Sequence, residues 1–382
     1  MSEWKTVRLG DVCELIMGTS PEGNTISDNP SNGIEFHQGK TFFGKVFLNE
    51  SKIYTSAPSK FANAGNVIMS VRAPVGDSNI TQRRIAIGRG LCTFNLKDDF
   101  EKFYLFYFLN SKIEYLQSKS TGSTFKAVNK DAISDLQIPL PPLEEQKHIA
   151  AVLDKCTALI AKHKLMLERY DTLIKSRFIE MFGEEPTKNG KWQIKELGTL
   201  SEIGSSKRIF ANEYVSEGIP FYRSKEIREL GNGERPSIEL YISYEKYNEI
   251  KTKYGLPKKN DILIAAIGAT IGYTWIIDTD SPFYYKDGNL ILISKIQKLN
   301  SIFLNEILKT EIKAYKERAS GSAQLALTIE KMEKLQIPVP QIELQNAFSS
   351  FVQQIDKSKF AVQESLEKAE TLYESLMQES FG

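Results

Sequence analysis

The 382-residue sequence contains only three cysteines and three histidines. Cys13, Cys92 and Cys156 lie far apart with no C-x-x-C pair, which excludes a disulfide framework and the usual zinc-cluster spacings, so reduced thiols are expected. His37, His148 and His163 are not spaced for a metal either. No apolar run reaches transmembrane length, and the N-terminus, MSEWKTVRLGD, has no signal-peptide core. A soluble, cytoplasmic protein with no membrane partner is expected. An excess of one charge is missing too: 49 Lys and Arg stand against 48 Asp and Glu, unlike the basic balance of many nucleic-acid binders. That total hides an uneven distribution. Residues 341–382 hold three lysines against seven acidic residues and mask mildly basic segments before them.

Catalytic motifs are missing as well. GKT at 39–41 invites a P-loop reading, but that motif needs glycine at position 34, where Ile34 stands. No G-x-S-x-G, H-E-x-x-H or dinucleotide fingerprint occurs. The Asn/Asp-Pro-Pro-aromatic signature of amino-methylating enzymes fails because the only Pro-Pro, Pro141-Pro142, is followed by Leu143. The sequence offers no catalytic residue, metal site or cofactor-binding motif.

What is present is repetition. LQIPLPPLEEQ (136–146) returns as LQIPVPQIELQ (335–345), with seven of eleven positions identical at an offset of 199. STGSTFKAVNKDAISD (120–135) aligns at that offset with ASGSAQLALTIEKMEK (319–334). WKTVRLGDV matches WQIKELGTL, GIEFHQGK matches GIPFYRSK, and GNVIMSVRAPVG resembles NDILIAAIGATIG, all in preserved order. This is a tandem duplication of about 190 residues per copy. Each copy opens with short strands rich in Val, Ile, Tyr and Phe, separated by turn residues, and continues through a short helix to the quoted junction. The fold expected for each is α+β, a bent mixed sheet with short helices.

After each junction the period changes. Ile149, Leu153, Cys156, Ile160, His163, Leu167, Tyr170, Ile174, Arg177 and Met181 alternate steps of four and three, and Phe348 to Leu376 repeat the rhythm. Sustained this long, the pattern predicts coiled-coil helices of about 34 residues, with His163 as a partner-bonded seam histidine. Pro141 and Pro142 stop the preceding strand, Glu144 and Glu145 suit a helix N-terminus, and Gly183 suits the position after the helix end. The domains read as 1–142, a helix in 143–183, 184–340, and a helix in 341–382. If the helices run antiparallel, the two globular domains sit at opposite ends of a rod.

The loops carry candidate DNA contacts. They are Gln38, Lys40 and Thr41 in FHQGKT, Arg72 in SVRAPVG, Arg83 and Arg84 in TQRR, Lys207 and Arg208 in GSSKRIF, Arg223 and Lys225 in FYRSKEIR, and Lys258 and Lys259 in LPKKN. Basic side chains fix a protein on the phosphate backbone, while Arg, Gln and Asn read base edges. Lys40 and Lys225 fall at matching places in the two copies. Lys126 stands beside Gly122-Ser123, and that dipeptide, like Gly321-Ser322, offers backbone N–H groups to phosphate.

The IPLPPLEEQ and IPVPQIELQ junctions, the Gly-Ser segments before them, the helix closing in SRFIEMFGEEPTKNGKW, the following KELGTLSEIGSSKRI and the ending FSSFVQQIDKSK together resemble the specificity (S) subunits of type I restriction–modification systems. The resemblance spans nearly the whole chain. It implies two target recognition domains joined by two antiparallel helices with pseudo-two-fold symmetry, reading the halves of a bipartite double-stranded DNA target, the N-terminal domain taking the 5′ half. Catalysis then belongs to partners: two modification subunits that methylate adenine with S-adenosylmethionine, and restriction subunits that use ATP and Mg. This chain itself would hold no cofactor. The residues alone leave open a recognition subunit for a stand-alone methyltransferase, a self-sufficient methyltransferase, and a coiled-coil scaffold that binds no DNA.

Overall fold

Short strands end at the prolines and long helices begin just after them, Leu143–Phe182 and Ile342–Phe381, in a computed structural model that describes residues 4–120, 127–318 and 325–382. Gly122, Ser123, Lys126, Gly321 and Ser322 lie outside the described residues. Each helix has 40 residues, about 60 Å at about 1.5 Å per residue. That is longer than the seam periodicity suggests, because the polar first turn, with its two glutamates in the first copy, is already helical. Every seam position from Ile149 to Met181 and from Phe348 to Leu376 is buried or half-buried. Near the end of the first helix the fully buried residues are Phe178 and Phe182, each one step beyond Arg177 and Met181. A 3.6-residue helix drifts in this way against a strict heptad. His163 lies on the seam, but its buried Nδ1 finds no hydrogen-bond partner among the described residues, contrary to expectation.

The chain divides into two compact units, 1–164 with 364–382, and 165–363. Each long helix is therefore shared: its N-terminal half packs with its own repeat, and its C-terminal half completes the other. In the first unit the helix halves run antiparallel, with Lys164 paired to Glu370 at 2.8 Å and Leu153 sharing a core with Phe381. In the second, Lys359 meets Asp171 at 2.7 Å while Phe348 packs on Phe178 and Phe182.

Each unit distributes its strands in the same way. In the first, an antiparallel sheet runs Cys13–Met17, Leu91–Leu96, Val67–Ser70, Ser78–Ile80. A mixed sheet runs Ile26–Ser27, Tyr54–Thr55, Ile34–His37, Ile85–Ile87, Phe61–Ala62, with Phe36–His37 parallel to Ala86–Ile87. The second unit repeats this with Glu202–Gly204, Leu290–Ser294, Ile262–Ala265 and Thr274–Ile276, and with Tyr214–Val215, Tyr241–Ile242, Ile219–Tyr222 and Tyr284–Tyr285, its mixed sheet having four strands and no counterpart of Phe61–Ala62 among the described residues. VFL at 46–48 forms only isolated bridges, Phe43–Leu48 and Phe47–Ile80. Helix Tyr244–Tyr254, invisible to hydrophobic periodicity, is capped by Ser243 and buries only Ile250 fully.

The repeated junction has a chemical purpose. Gln146 is buried; its Nε2 donates to Pro141 O (2.9 Å) and Asp99 O (3.2 Å), and its Oε1 accepts from Glu101 N (2.9 Å). Gln345 makes the same three bonds, to Pro340 O, to Lys298 O and from Asn300 N. One amide thus ties the helix start to the strand before it and to the loop that enters the short helix of the domain. Beside it, Thr6–Arg8 pairs with Gln137–Pro139, and Gln193–Glu196 with Gln336–Val339.

The helix ends are equally fixed. Gly183 takes φ +96°, as expected after a helix end, and Asn189 Nδ2 and Trp192 Nε1 both donate to Phe182 O. The Phe182 ring lies 4.7 Å from Phe303 and 5.7 Å from Phe348. At the equivalent place in the first unit, the Phe381 ring lies 5.0 Å from Tyr104 and 5.9 Å from Phe108. All three cysteines are buried and unpaired, and burial pushes the Cys13 thiol up to about 12, so it stays a neutral packing group.

Candidate nucleic-acid interface

Loop cations are useful to a polyanion only to the degree that the protein has not already neutralised them. Arg83 donates from Nε and Nη2 to both oxygens of Glu35, and from Nη1 and Nη2 to Leu48 O (3.1 Å) and Asn49 O (3.0 Å). Its guanidinium therefore ties strand Ile34–His37 to the following loop. Burial works to raise the Glu35 carboxyl, but donation by Arg83, Ser51 N and His37 outweighs it and holds the group at about 2, below its ordinary 4.5. A depressed carboxyl stabilises above its unfolded pKa and loses that contribution as pH falls. Glu35→Gln is therefore expected to be less stable than wild type at pH 7 and to approach it between about pH 4.5 and 2, as denaturant unfolding across that range would reveal.

Lys40 and Lys225, the matched pair, are each held by a carboxylate: Lys40 by Asp77, and Lys225 by Glu239 at 2.6 Å. Glu239 also takes Arg223 Nη2 at 2.8 Å, and Arg223 reaches Glu226 as well. Lys225 first and Arg223 second hold the Glu239 carboxyl down at about 2. Arg208 Nε bonds Asp287 at 2.8 Å. Gln38 is exposed and bonded to Ser20.

A second group faces no carboxylate within ion-pair distance among the described residues. Arg72, Lys258 and Lys259 are exposed, and Thr41 is exposed beside Lys40. Arg84 lies over the Phe61 ring, 4.2 Å from its centroid, and Lys207 lies 5.5 Å from that of Tyr254. The second contact brings GSSKRIF next to the segment that leads into Lys258 and Lys259. Phe210, 59% exposed, and Tyr254, 59% exposed, stand at this surface. Neither was selected from the sequence, although a phenylalanine closing a basic loop was a visible signal; the helix that Tyr254 closes was not. Cations interleaved with exposed aromatics can hold phosphate and stack on or wedge against bases.

Among the described residues no acidic, histidine or cysteine group is arranged to hold a metal, and no helix is long and apolar enough to cross a membrane.

The domain family described as "Type I restriction modification DNA specificity domain" matches residues 1–169 and again 189–370. The putative type I restriction enzyme MjaX specificity subunit of Methanocaldococcus jannaschii is 39% identical over 176 residues, 44% of this chain and 40% of that protein. The putative specificity subunit S.HindORF215P of Haemophilus influenzae is 30% identical over 71% of this chain and 69% of its own length. The MjaVIII specificity subunit of M. jannaschii is 25% identical over 96% of this chain and 90% of its own. The crystal structure of the type I restriction–modification S subunit from M. genitalium shares the fold, with a TM-score of 0.65 at 18% identity over 100% of this chain and 96% of that one. Two copies of the domain, in the order and spacing of the internal repeat, place the chain in the type I restriction–modification DNA specificity family.

Proposed function

We propose that this chain is the DNA-reading, non-catalytic specificity subunit of a type I restriction–modification enzyme, and that each globular domain reads one half of a bipartite target. The observation that carries the reading is the double match to a DNA specificity domain, once in each repeat. Differences between the copies at matched loops support separate half-sites: Gln38 stands where the second copy has Arg223, and GSSKRIF has no basic-aromatic counterpart in the first. Double-stranded DNA is the ligand. Two modification subunits carrying S-adenosylmethionine, and restriction subunits using ATP and Mg, supply the chemistry. The cytoplasm, where host DNA lies, is the compartment.

The test is a domain exchange in the assembled enzyme. Replacing residues 1–142 with the corresponding domain of a relative is expected to change only one half of the methylated motif, read by sequencing modified adenines in host DNA. Alteration of both halves, or methylation by the purified chain alone, would overturn the reading.

The charge geometry gives an independent check. Glu239→Gln releases Lys225, while Arg223 keeps Glu226, so low-salt affinity for random duplex is expected to rise. The log–log salt dependence should steepen by up to about 0.9, the value for one additional phosphate neutralised. An unchanged slope in fluorescence-anisotropy titrations would place Lys225 away from the DNA.

A further inference from the structure

The short helices of the two repeats align residue for residue at the offset of 199, and their differences leave a larger space in one unit. Where the first unit has Phe103, Phe106 and Tyr107, the second has Ile302, Asn305 and Glu306. In the first unit the rings fill their surroundings: Phe47 packs on Phe103, Phe106 on Tyr107, and Tyr107 on Tyr373 of the long helix. In the second the corresponding region is a cleft of about 790 Å³ between the long helices, helix Ser301–Arg318 and the edge strand Thr274–Ile276.

The cleft wall is polar and incompletely satisfied. Thr274 and Asn305, 6% and 8% exposed, both line it, and neither Thr274 Oγ1 nor Asn305 Oδ1 has a hydrogen-bond partner among the described residues. Unmet buried polar atoms cost about 1–3 kcal/mol each, so such atoms at a cleft wall mark where a ligand group belongs. Four carboxylates line the cleft against two lysines, and those lysines are spoken for: Lys359 pairs with Asp171 and Lys309 with Glu306. Asp278 and Asp356 have no cation within ion-pair distance among the described residues. Burial raises the Asp356 carboxyl above its ordinary value, outweighing the downward pull of Lys359 and Lys309. Trp275 and the exposed Phe360 add aromatic faces.

We propose that this cleft binds a small organic cation, a protonated amine or guanidinium compound, with Asp278 and Asp356 as counter-charges and Asn305 Oδ1 and Thr274 Oγ1 as acceptors. The size fits a small-molecule site, and the negative lining disfavours phosphate. A protein partner bound once to each pseudo-equivalent unit would need the same cleft in both, whereas between the corresponding helices of the first unit the space is about 390 Å³ and is lined by Lys112, Tyr373 and Phe381.

Spermidine and agmatine serve as probes for the full-length chain, free of DNA, in isothermal titration calorimetry, with AMP as the anionic comparison. Saturable binding of one molecule per chain is expected. Asp356→Asn should weaken it roughly tenfold or more, the loss of a charge-assisted contact. Asn305→Phe with Glu306→Tyr, which restores the rings of the first unit, should abolish it. Failure of both probes to saturate at millimolar concentration would overturn the proposal, as would wild-type affinity in Asp356→Asn or equal binding of AMP. If the double variant does not fold, by circular dichroism, Asp356→Asn decides alone.

Discussion

Phe182→Ala is expected to cost the second unit about 3–5 kcal/mol, the usual loss for emptying a fully packed phenylalanine site, while leaving the first unit close to its native stability. Phe182 belongs by sequence to the helix of the first repeat, yet its ring is 1% exposed and lies among Phe178, Phe303, Phe348 and Trp192 of the second unit. Phe381→Ala should do the converse and loosen Tyr104 and Phe108 in the first unit. Hydrogen exchange resolved by peptide, combined with denaturant unfolding, reads the effect. Lost protection in 1–142 on substitution of Phe182 would show that the helix ends do not complete the opposite repeat.

The second large effect concerns the junction amides. Gln146→Glu puts a carboxylate against the carbonyls of Asp99 and Pro141, where only a donor is accommodated. The native fold then favours the protonated acid, so its folded pKa rises above the unfolded value of about 4.3. The sign follows directly: the variant keeps its stability below that unfolded value and loses it as pH rises through the folded one. At pH 8 a loss of about 3–5 kcal/mol is expected, as for other unpaired buried charges, with partial recovery at pH 5. Gln146→Met, which has nothing to titrate, should lose about 1–3 kcal/mol at both pH values. Thermal unfolding of both variants and wild type at pH 5 and 8 separates the cases, and a pH-independent loss in Gln146→Glu would remove the amide from its assigned role. Gln345 should behave identically in the second unit.

Much of the architecture was legible in the residues. The offset of 199, the Ile-Pro junctions and the alternating seam are local patterns, set by strand-ending prolines and helical periodicity, and they yielded the duplication and both long helices. The exchange of helix ends was not legible. Phe182 and Phe381 mark a strong packing position, but periodicity says which face of a helix is buried and not which core receives it. The partners of Gln146 were equally hidden, since Asp99 and Glu101 lie in a loop about 45 residues upstream with no pattern of their own. The site divides in the same way. Loop cations stood out by type, whereas the carboxylates that hold them, Glu35, Asp77, Glu239 and Asp287, are ordinary surface acids until the fold brings them close.

The exchange of helix ends also sets an order of events during synthesis. The core of the first unit is not complete until Phe381 is made, roughly 200 residues after the N-terminal half of its own long helix ends at Lys164. At about 5–20 residues per second, that interval lasts on the order of 10–40 s. Throughout it, the nascent first domain presents Tyr104 and Phe108 with no Phe381 to cover them, next to a half-seam with no partner strand. The second unit has the opposite history, because Phe178 and Phe182 are already available when Phe303 and Phe348 emerge. The repeat translated first is thus the last to close, and its open face is where a ribosome-associated chaperone has the longest time to act.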